Sequence, residues 1–384
     1  MHSSPNPFLK PIILFFLALL FSGYTIIGQT PWHYSLDFHS GKIIKNYPSF
    51  PHRNIAFIGE LKLTKPTIGT RPWHQYLHHP DIGGSLFFGS LGNTSVFGNL
   101  LGIMPIFDFH LTHKTNLSVG LGAAYFKTYF DIAENPENLF IGTPFTYLAK
   151  GSLTKTVFVS PKKSATIGIS VLHASNGHYK MPNNGINLVL LSMGIHLGKT
   201  PAFLPDTFSN RTDRRWHLSL EGGGGLHDFG DGTAPLNGPL YSVATIHIGS
   251  SKFIWNSGRF LAGITVTYYT DFYDYIVYQN FMPDTRMNAT TLSTYIGYDF
   301  VFGHFAFNIE SGILWWNPFY IKYKTSVGNH DIINVLKRYI NNRLGFRYFP
   351  FIGTNHQKGL FLGAYIRANF GQADFNEISI GWLF

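Results

Sequence analysis

Short segments in which apolar residues alternate with small or polar residues make up most of the chain. Such alternation runs through Leu117–Ala124, Ala262–Tyr268 and Arg343–Tyr348. Because successive side chains of a strand point to opposite faces, each segment predicts a strand with one apolar face. Segments of about 10 residues with this alternation, separated by turns, are typical of transmembrane β-barrels.

The alternation predicts about eight strands in each half of the chain. Those of the first half are His33–Phe38, Asn54–Leu63, Gly83–Ser90, Leu101–Leu111, Asn116–Tyr125, Pro144–Val159, Ala165–Ser175 and Asn187–Leu197. Those of the second half are Trp216–Leu226, Tyr241–Gly249, Phe260–Tyr269, Thr290–Val301, Phe305–Trp315, Asn342–Phe349, Gly359–Asn369 and Glu377–Phe384. The predicted fold is all-β: one antiparallel transmembrane barrel of roughly 14–16 strands, or, as the alternative, two tandem 8-stranded barrels. A secreted β-sandwich would show the same alternation.

The N-terminus favours export. Lys10 precedes the apolar run Ile12–Phe21, and small or polar residues follow as far as Gly28, as in a secretory signal peptide. At the other end, the last residue is Phe384, and the final strand resembles the C-terminal strand by which outer-membrane barrels are recognised for insertion. The predicted location is therefore the outer membrane of a diderm bacterium, after cleavage of the signal peptide. The predicted divisions are a signal peptide at 1–28, a first barrel half at 29–198, a connector at 199–215 and a second barrel half at 216–384.

Composition agrees with a chain that is solvated partly by lipid. Charged residues make up 13% of the sequence and aromatic residues 17%, whereas soluble domains carry about 25% charged residues. The absence of cysteine excludes a disulfide scaffold, a thiolate site and a lipidated-cysteine anchor. The formal net charge of +9 suits an anionic partner. Because the basic residues are scattered, an anionic lipid surface is favoured over nucleic acid.

The candidate chemistry lies at the end of the predicted strand Ala165–Ser175. His173 and Ser175 share a face of this strand with three aliphatic residues. Serine becomes a nucleophile when a base takes its proton, and a histidine two residues away on the same face can do this. Asn187, across the hairpin on the same outward face, can orient the histidine ring. The outward face of a barrel contacts lipid, so a nucleophile there meets a membrane substrate.

The residues that follow the serine supply further candidates. Asn176 and Gly177 offer N–H donors to an oxyanion. The motif His173-Ala-Ser175-Asn176, the Pro/Asn/Gly loop and the strand after it resemble the PagL-type lipid A 3-O-deacylases, also called acyloxyacyl hydrolases. The resemblance covers about residues 55–198, including the segments Trp73–Pro80, Gly120–Tyr125 and Asn135–Gly142.

This resemblance implies an outer-membrane ester hydrolase that removes an acyl chain from lipid A. It implies Ser175 as nucleophile, His173 as base and Asn176 as an oxyanion contributor. The family has a glutamate at the position of Asn187, so this sequence departs from the family pattern at the third residue. The expected partners are lipopolysaccharide and the outer membrane, not nucleic acid, with a homodimer left open; no cofactor or metal ion is expected. A non-catalytic or pore-type barrel, and a phospholipase with the same dyad, are the alternatives.

Other polar features have plainer interpretations. His74 and His78 have a spacing that binds zinc on a helix with a further ligand, but their Pro-flanked position favours a turn or interfacial role. Gly222–Gly225 lacks the Gly-Lys-Ser/Thr ending of a phosphate loop and indicates a strand bend or a packed wall. Asp271 and Asp274 are cation candidates with solvated loop acids as the simpler interpretation. Inward-facing charges that line a lumen or pair with each other are predicted at Arg343, Arg347 and Glu310.

Overall fold

The structure is a computed structural model that describes most of the chain. The described residues are 31–46, 50–198, 204–205, 208, 214–230, 233–234, 236, 238–283, 285–326, 328, 332–351 and 358–384. The predicted signal peptide, 1–28, lies outside them, as does most of the predicted connector, 199–215. Within these ranges no helix combines the length and the apolar character needed to cross a bilayer.

The first half of the described chain forms a closed antiparallel barrel. Each strand pairs with its sequence neighbours, and β1 closes the barrel on β8, with Tyr34 opposite Leu197. The strands are β1 His33–Ile43, β2 Ala56–Pro66, β3 Asp81–Ser90, β4 Asn99–His110, β5 Thr115–Phe126, β6 Phe145–Ser160, β7 Lys163–Ser175 and β8 Ile186–Leu197.

The second half forms another closed antiparallel barrel, in which β9 pairs with β16. Its strands are β9 His217–Asp228, β10 Leu240–Trp255, β11 Gly258–Tyr269, β12 Thr290–Phe302, β13 Phe305–Trp316, β14 Ile340–Tyr348, β15 Gly359–Asn369 and β16 Gln372–Leu383. The helices within the described ranges are α1 Pro72–Tyr76, α2 Thr270–Gln279, α3 Pro318–Ser326 and α4 Ile332–Tyr339, with a 3₁₀ turn at Arg286–Ala289.

The predicted all-β antiparallel barrel architecture is confirmed, and it takes the form of the alternative with two 8-stranded barrels. The preferred single barrel is not observed, because hydrogen bonds close each half on itself between β1 and β8 and between β9 and β16. Closure depends on which strands pair at the seam. Alternation along each strand gives the inward and outward faces but does not specify the partner at the seam.

In the first barrel the two faces of each strand differ as a membrane wall requires. On β8, Val189, Leu191, Met193 and Ile195 are all exposed on the outward face. Polar side chains point inward, and Glu60 is the centre of an interior layer. The Glu60 carboxylate accepts hydrogen bonds from His39 Nε2 at 2.9 Å and Ser85 Oγ at 2.7 Å, and it pairs with Lys150. An apolar exterior around a satisfied polar interior is the pattern of a transmembrane barrel.

The interior of the second barrel holds buried ion pairs. Arg343 contacts Glu221, and its Nε lies 2.9 Å from Glu377 Oε2. Arg347 lies 2.8 Å from Glu310 Oε1, and Arg343 lies 3.6 Å from the same oxygen. The predicted inward pairing of both arginines with Glu310 is therefore confirmed. Eight strands enclose an interior that side chains can fill, and here charged side chains fill much of it.

Three aromatic residues lie in the loops at one end of the first barrel, which we call its loop end. Phe50 follows β1, Phe97 follows β3 and Phe140 follows β5. The ring centroid of Phe140 lies 4.6 Å from that of Phe50 and 5.4 Å from that of Phe97. Phe97 and Phe140 are fully buried and belong to the core inside the barrel. This aromatic cluster packs the three loops against one another at the end of the barrel where β7 ends with His173 and Ser175.

Candidate functional site

The β7–β8 hairpin determines where the candidate residues lie. Strand residues of β7 alternate between buried and exposed, and His173 is exposed on the outward face. The sequence predicts that Asn187 shares this outward face across the hairpin, and in the β7–β8 register His173 stands directly opposite it. Directly opposed residues have Cβ atoms about 4.5–5.5 Å apart, so their side chains meet without rearrangement.

The structure brings His173, Ser175 and Asn187 into one hydrogen-bonded chain. His173 Nδ1 lies 2.7 Å from Asn187 Oδ1, and His173 Nε2 lies 3.2 Å from Ser175 Oγ. The amide oxygen is an acceptor, so Nδ1 carries the proton and Nε2 is left to accept from the serine hydroxyl. In this tautomer a histidine can act as the base for a serine. Ser175 is 7% exposed, whereas His173 is open.

The neighbouring strand leaves space beside this group. On β6, Ala149 stands opposite His173 and Gly151 stands opposite Val171. Both β6 residues are on the outward face and carry little or no side chain. The wall is therefore shallow next to the histidine, while the adjacent β7 residues Val171 and Ile169 are exposed and apolar. This part of the wall is therefore an apolar surface beside the histidine.

Asn176, a predicted oxyanion contributor, is engaged in the loop that follows β7. Its backbone N–H donates to Asn183 Oδ1 at 2.9 Å, and its side-chain amide donates to the carbonyl of Lys180 at 2.6 Å. Gly177 has a positive φ of 68°, a left-handed conformation that glycine adopts without steric cost. Asn183 was not identified from the sequence, because an asparagine in a polar loop carries no periodic signal.

Gly185 is a second residue that sequence reasoning missed. It has φ 67°, and a Cβ there would lie 3.1 Å from His173 Cε1 and 3.3 Å from Ser175 Cβ. Its backbone N–H donates to the carbonyl of Phe140 at 3.2 Å. The Asn184-Gly185 dipeptide, a turn signal, is the sequence feature that points to it. The backbone at Gly185 therefore packs against the dyad where a side chain has little room.

The histidines near Trp73 lie in and just after a short helix. His74 lies in α1, and His78 and His79 follow the helix with positive φ values. Burial, with Arg71 and His79 nearby, lowers the pKa of His74 to about 4, so that it is neutral near pH 7. Within the described ranges no group of three His, Asp or Glu side chains is arranged to hold a metal ion.

The remaining sequence candidates belong to the second barrel. Gly222–Gly225 lies within β9 and forms part of the barrel wall, as predicted. Asp271 is buried at the start of α2 and accepts a hydrogen bond from His227 Nδ1 at 2.8 Å, so it is not a solvated loop acid. Asp274 lies on the same helix.

Solved structures of outer-membrane proteins align with the chain at low similarity. The outer membrane protein opdK from Pseudomonas aeruginosa is 10% identical over 92% of this chain and 98% of that chain, with a TM-score of 0.23. A BenF-like porin from Pseudomonas fluorescens Pf-5 is 10% identical over 93% and 98%, with a TM-score of 0.23. CdiB from Acinetobacter baumannii is 10% identical over 92% of this chain, with a TM-score of 0.18, and this chain spans 60% of its length.

No curated protein matches the chain at a significant level. A family model does match, and it falls on the first barrel. The matched segment begins in β2 and ends in β8, so it contains the hairpin with His173, Ser175 and Asn187. Residues 58–196 match the family lipid A 3-O-deacylase (PagL), which confirms for the first barrel the family resemblance seen in the sequence.

Proposed function

We propose that the protein is an outer-membrane serine esterase that removes an ester-linked acyl chain from lipid A. The observation that carries this proposal is the hydrogen-bonded chain Ser175–His173–Asn187 on the apolar outward wall. The family match over the same strands supports a lipid A deacylase. A secretory signal at residues 1–28 and its cleavage are part of the proposal.

The proposed reaction begins with proton transfer from Ser175 Oγ to His173 Nε2 as the oxygen adds to the ester carbonyl. Asn187 Oδ1 holds the Nδ1–H and keeps the ring in the tautomer that accepts at Nε2. Collapse of the tetrahedral intermediate returns the electron pair to the carbonyl and expels the sugar-side alkoxide, which takes the proton from His173. Water then attacks the acyl-serine by the same route and releases the fatty acid.

The position of the dyad supports a lipid substrate. Ser175 is the last residue of β7, at the loop end of the first barrel. With the N-terminus in the periplasm, odd-numbered strands run outward and the loop end is extracellular. The dyad then lies at the level of the outer leaflet, where lipid A presents its esters. Ser175 is the nucleophile in this proposal, His173 the base and Asn187 the orienting residue, with Asn176 and Gly177 near the oxyanion.

A pore-type function receives less support. An apolar core and the Glu60 layer cross the interior of the first barrel, and ion pairs around Arg343 and Arg347 cross the interior of the second. Side chains that are paired across an eight-stranded interior do not form an open passage. A phospholipase would use the same dyad, and lipid analysis separates the two substrates.

The test is the mass spectrum of lipid A from diderm cells that express the wild type, Ser175→Ala or His173→Ala. We expect the wild type to lower the mass of lipid A by one acyl chain and both variants to leave it intact. Ser164→Ala, on the same strand but far from the dyad, serves as the control and should act as the wild type does. Identical lipid A from all four strains, with folded protein in each, would refute the esterase. Loss of acyl chains from phospholipids alone would point to the phospholipase.

A further inference from the structure

Tyr147 lies beside the candidate nucleophile, on β6, a strand that contributes no residue to the proposed mechanism. In the β6–β7 register Tyr147 stands directly opposite Ser175. Its neighbours in sequence, Leu148 and Thr146, are buried, and Lys150 reaches Glu60 inside the barrel, so Tyr147 takes the outward face. Cross-strand partners have Cβ atoms about 4.5–5.5 Å apart, which is within the length of a tyrosine side chain.

The hydroxyl group of Tyr147 is buried without a partner. The residue is 4% exposed, and its phenolic oxygen has no hydrogen-bond partner among the described residues. A buried tyrosine usually satisfies its O–H, because an unsatisfied polar group is costly. An unmet donor on the cross-strand partner of a candidate nucleophile therefore indicates a ligand atom that accepts from it.

The proposed reaction requires a hydrogen-bond donor for the oxyanion. Addition of Ser175 Oγ to an ester places negative charge on the former carbonyl oxygen, and such charge is stabilised by fixed N–H or O–H donors. The backbone N–H of Asn176, the first sequence candidate, already donates to Asn183 Oδ1. The Asn176 side-chain amide donates to Lys180. A donor from outside this loop binds the oxyanion without the loss of either of these hydrogen bonds.

We propose that Tyr147 is a further catalytic residue, whose phenol O–H donates a hydrogen bond to the oxyanion formed at Ser175. This inference rests on the proposed esterase function. The phenol keeps its proton throughout: it donates to the oxygen while the carbonyl electron pair resides there. When the intermediate collapses, the pair returns to the C=O bond and the leaving alkoxide takes its proton from His173. Tyr147 is thus an electrostatic stabiliser and not an acid or base.

The test compares Tyr147→Phe with the wild type, using the full chain in detergent micelles with isolated lipopolysaccharide. The substitution removes one oxygen and keeps the ring. We expect kcat for acyl release to fall by about 10²-fold, as for the loss of one oxyanion donor, while KM stays within about twofold because the donor acts in the transition state. Tyr125→Phe, on the outward face of the adjacent strand β5 and 40% exposed, is the matched control and should leave both constants unchanged.

A second readout separates this role from a merely structural one. A long-chain alkyl p-nitrophenyl phosphonate forms a tetrahedral adduct on a nucleophilic serine, with a phosphoryl oxygen where the oxyanion would be. Tyr147→Phe should slow phosphonylation of Ser175 in parallel with kcat. If the wild type deacylates through Ser175 and Tyr147→Phe equals it in both assays, this inference fails and the esterase stands. If the wild type neither releases fatty acid nor reacts with the phosphonate, both proposals fail.

Discussion

In the proposed mechanism, Asn187 determines how strongly His173 activates the serine. Its amide oxygen lies 2.7 Å from His173 Nδ1, so it orients the ring as a carboxylate would. A neutral amide gives the imidazolium that forms during the reaction less stabilisation than a carboxylate. An amide can also turn over and present its NH₂ group, which would leave the proton on Nε2 and remove the base. A carboxylate has only acceptors and enforces the productive tautomer.

Asn187→Asp should therefore raise the rate of acyl release. In serine proteases, replacing the triad carboxylate with an amide lowers kcat by about 10⁴. Because the His173 side chain is exposed on the barrel wall, we expect Asn187→Asp to raise kcat by less than this, but by at least about tenfold, at neutral pH. Asn187→Leu should abolish activity. The measurement is fatty acid release from isolated lipopolysaccharide by the purified variants.

The control for this prediction is another asparagine–histidine pair in the same barrel. His110 Nδ1 lies 2.8 Å from Asn116 Oδ1, at the end of the barrel opposite the loops. Asn116→Asp makes the same chemical change without touching the dyad and should leave the rate unchanged. A rate for Asn187→Asp at or below that of the wild type, in a folded barrel, would show that Asn187 does not act through the histidine.

At the scale of elements, the loop between β5 and β6 supports the loop that follows β7. The carbonyl groups of Leu139 and Phe140 accept hydrogen bonds from the N–H groups of Asn184 and Gly185, at 3.1 and 3.2 Å. Gly185 in turn packs against His173 and Ser175. The aromatic cluster of Phe50, Phe97 and Phe140 thereby connects the barrel core to the dyad.

Phe140→Ala should weaken both stability and activity. Removing a fully buried phenyl group costs about 3–5 kcal/mol, and the loss frees the segment that holds Gly185. We expect a lower thermal midpoint and a kcat reduced by at least about tenfold, since small displacements of a reacting group lower rates strongly. Ile132→Ala, in the same loop but 70% exposed, should change neither value. Wild-type kcat in Phe140→Ala would show that the loop does not position the dyad.

Alternation along the chain predicted the strands well and the loops poorly. The positions of β1–β16 follow from side chains that alternate between lipid and interior, a signal that is local in sequence. The contact of Phe140 with Phe50 joins residues far apart in the chain, and no local pattern records it. The same holds for Asn183, whose side chain meets the Asn176 N–H across a loop. The helices α2, α3 and α4 lie between strands and were not predicted, because each has ten residues or fewer and so shows too few turns for helical periodicity to be recognised.

The described part of the chain forms two eight-stranded barrels, one from each half of the sequence. Asn187 could be placed on the same outward face as His173 from the sequence, because alternation along a strand fixes the face of each residue. Barrel closure depends instead on pairing between β1 and β8, whose paired residues lie far apart in the sequence: Ser35 and His196, for example, are 161 positions apart. The ion pairs of the second barrel show the same limit: Arg343 was predicted to face inward, but its contacts with Glu221 and Glu377 come from distant strands.

The most direct test of the proposed esterase is to trap the acyl group on the protein. Purified full-length protein is mixed with isolated lipopolysaccharide, quenched rapidly in acid and digested, and the peptide that contains Ser175 is analysed by mass spectrometry. For the wild type, we predict an added mass on Ser175 equal to the mass of the acyl chain lost from lipid A. For Ser175→Ala, we predict no added mass on this peptide and intact lipid A. Equal release of fatty acid by the wild type and Ser175→Ala, with no adduct on Ser175, would show that Ser175 is not the nucleophile.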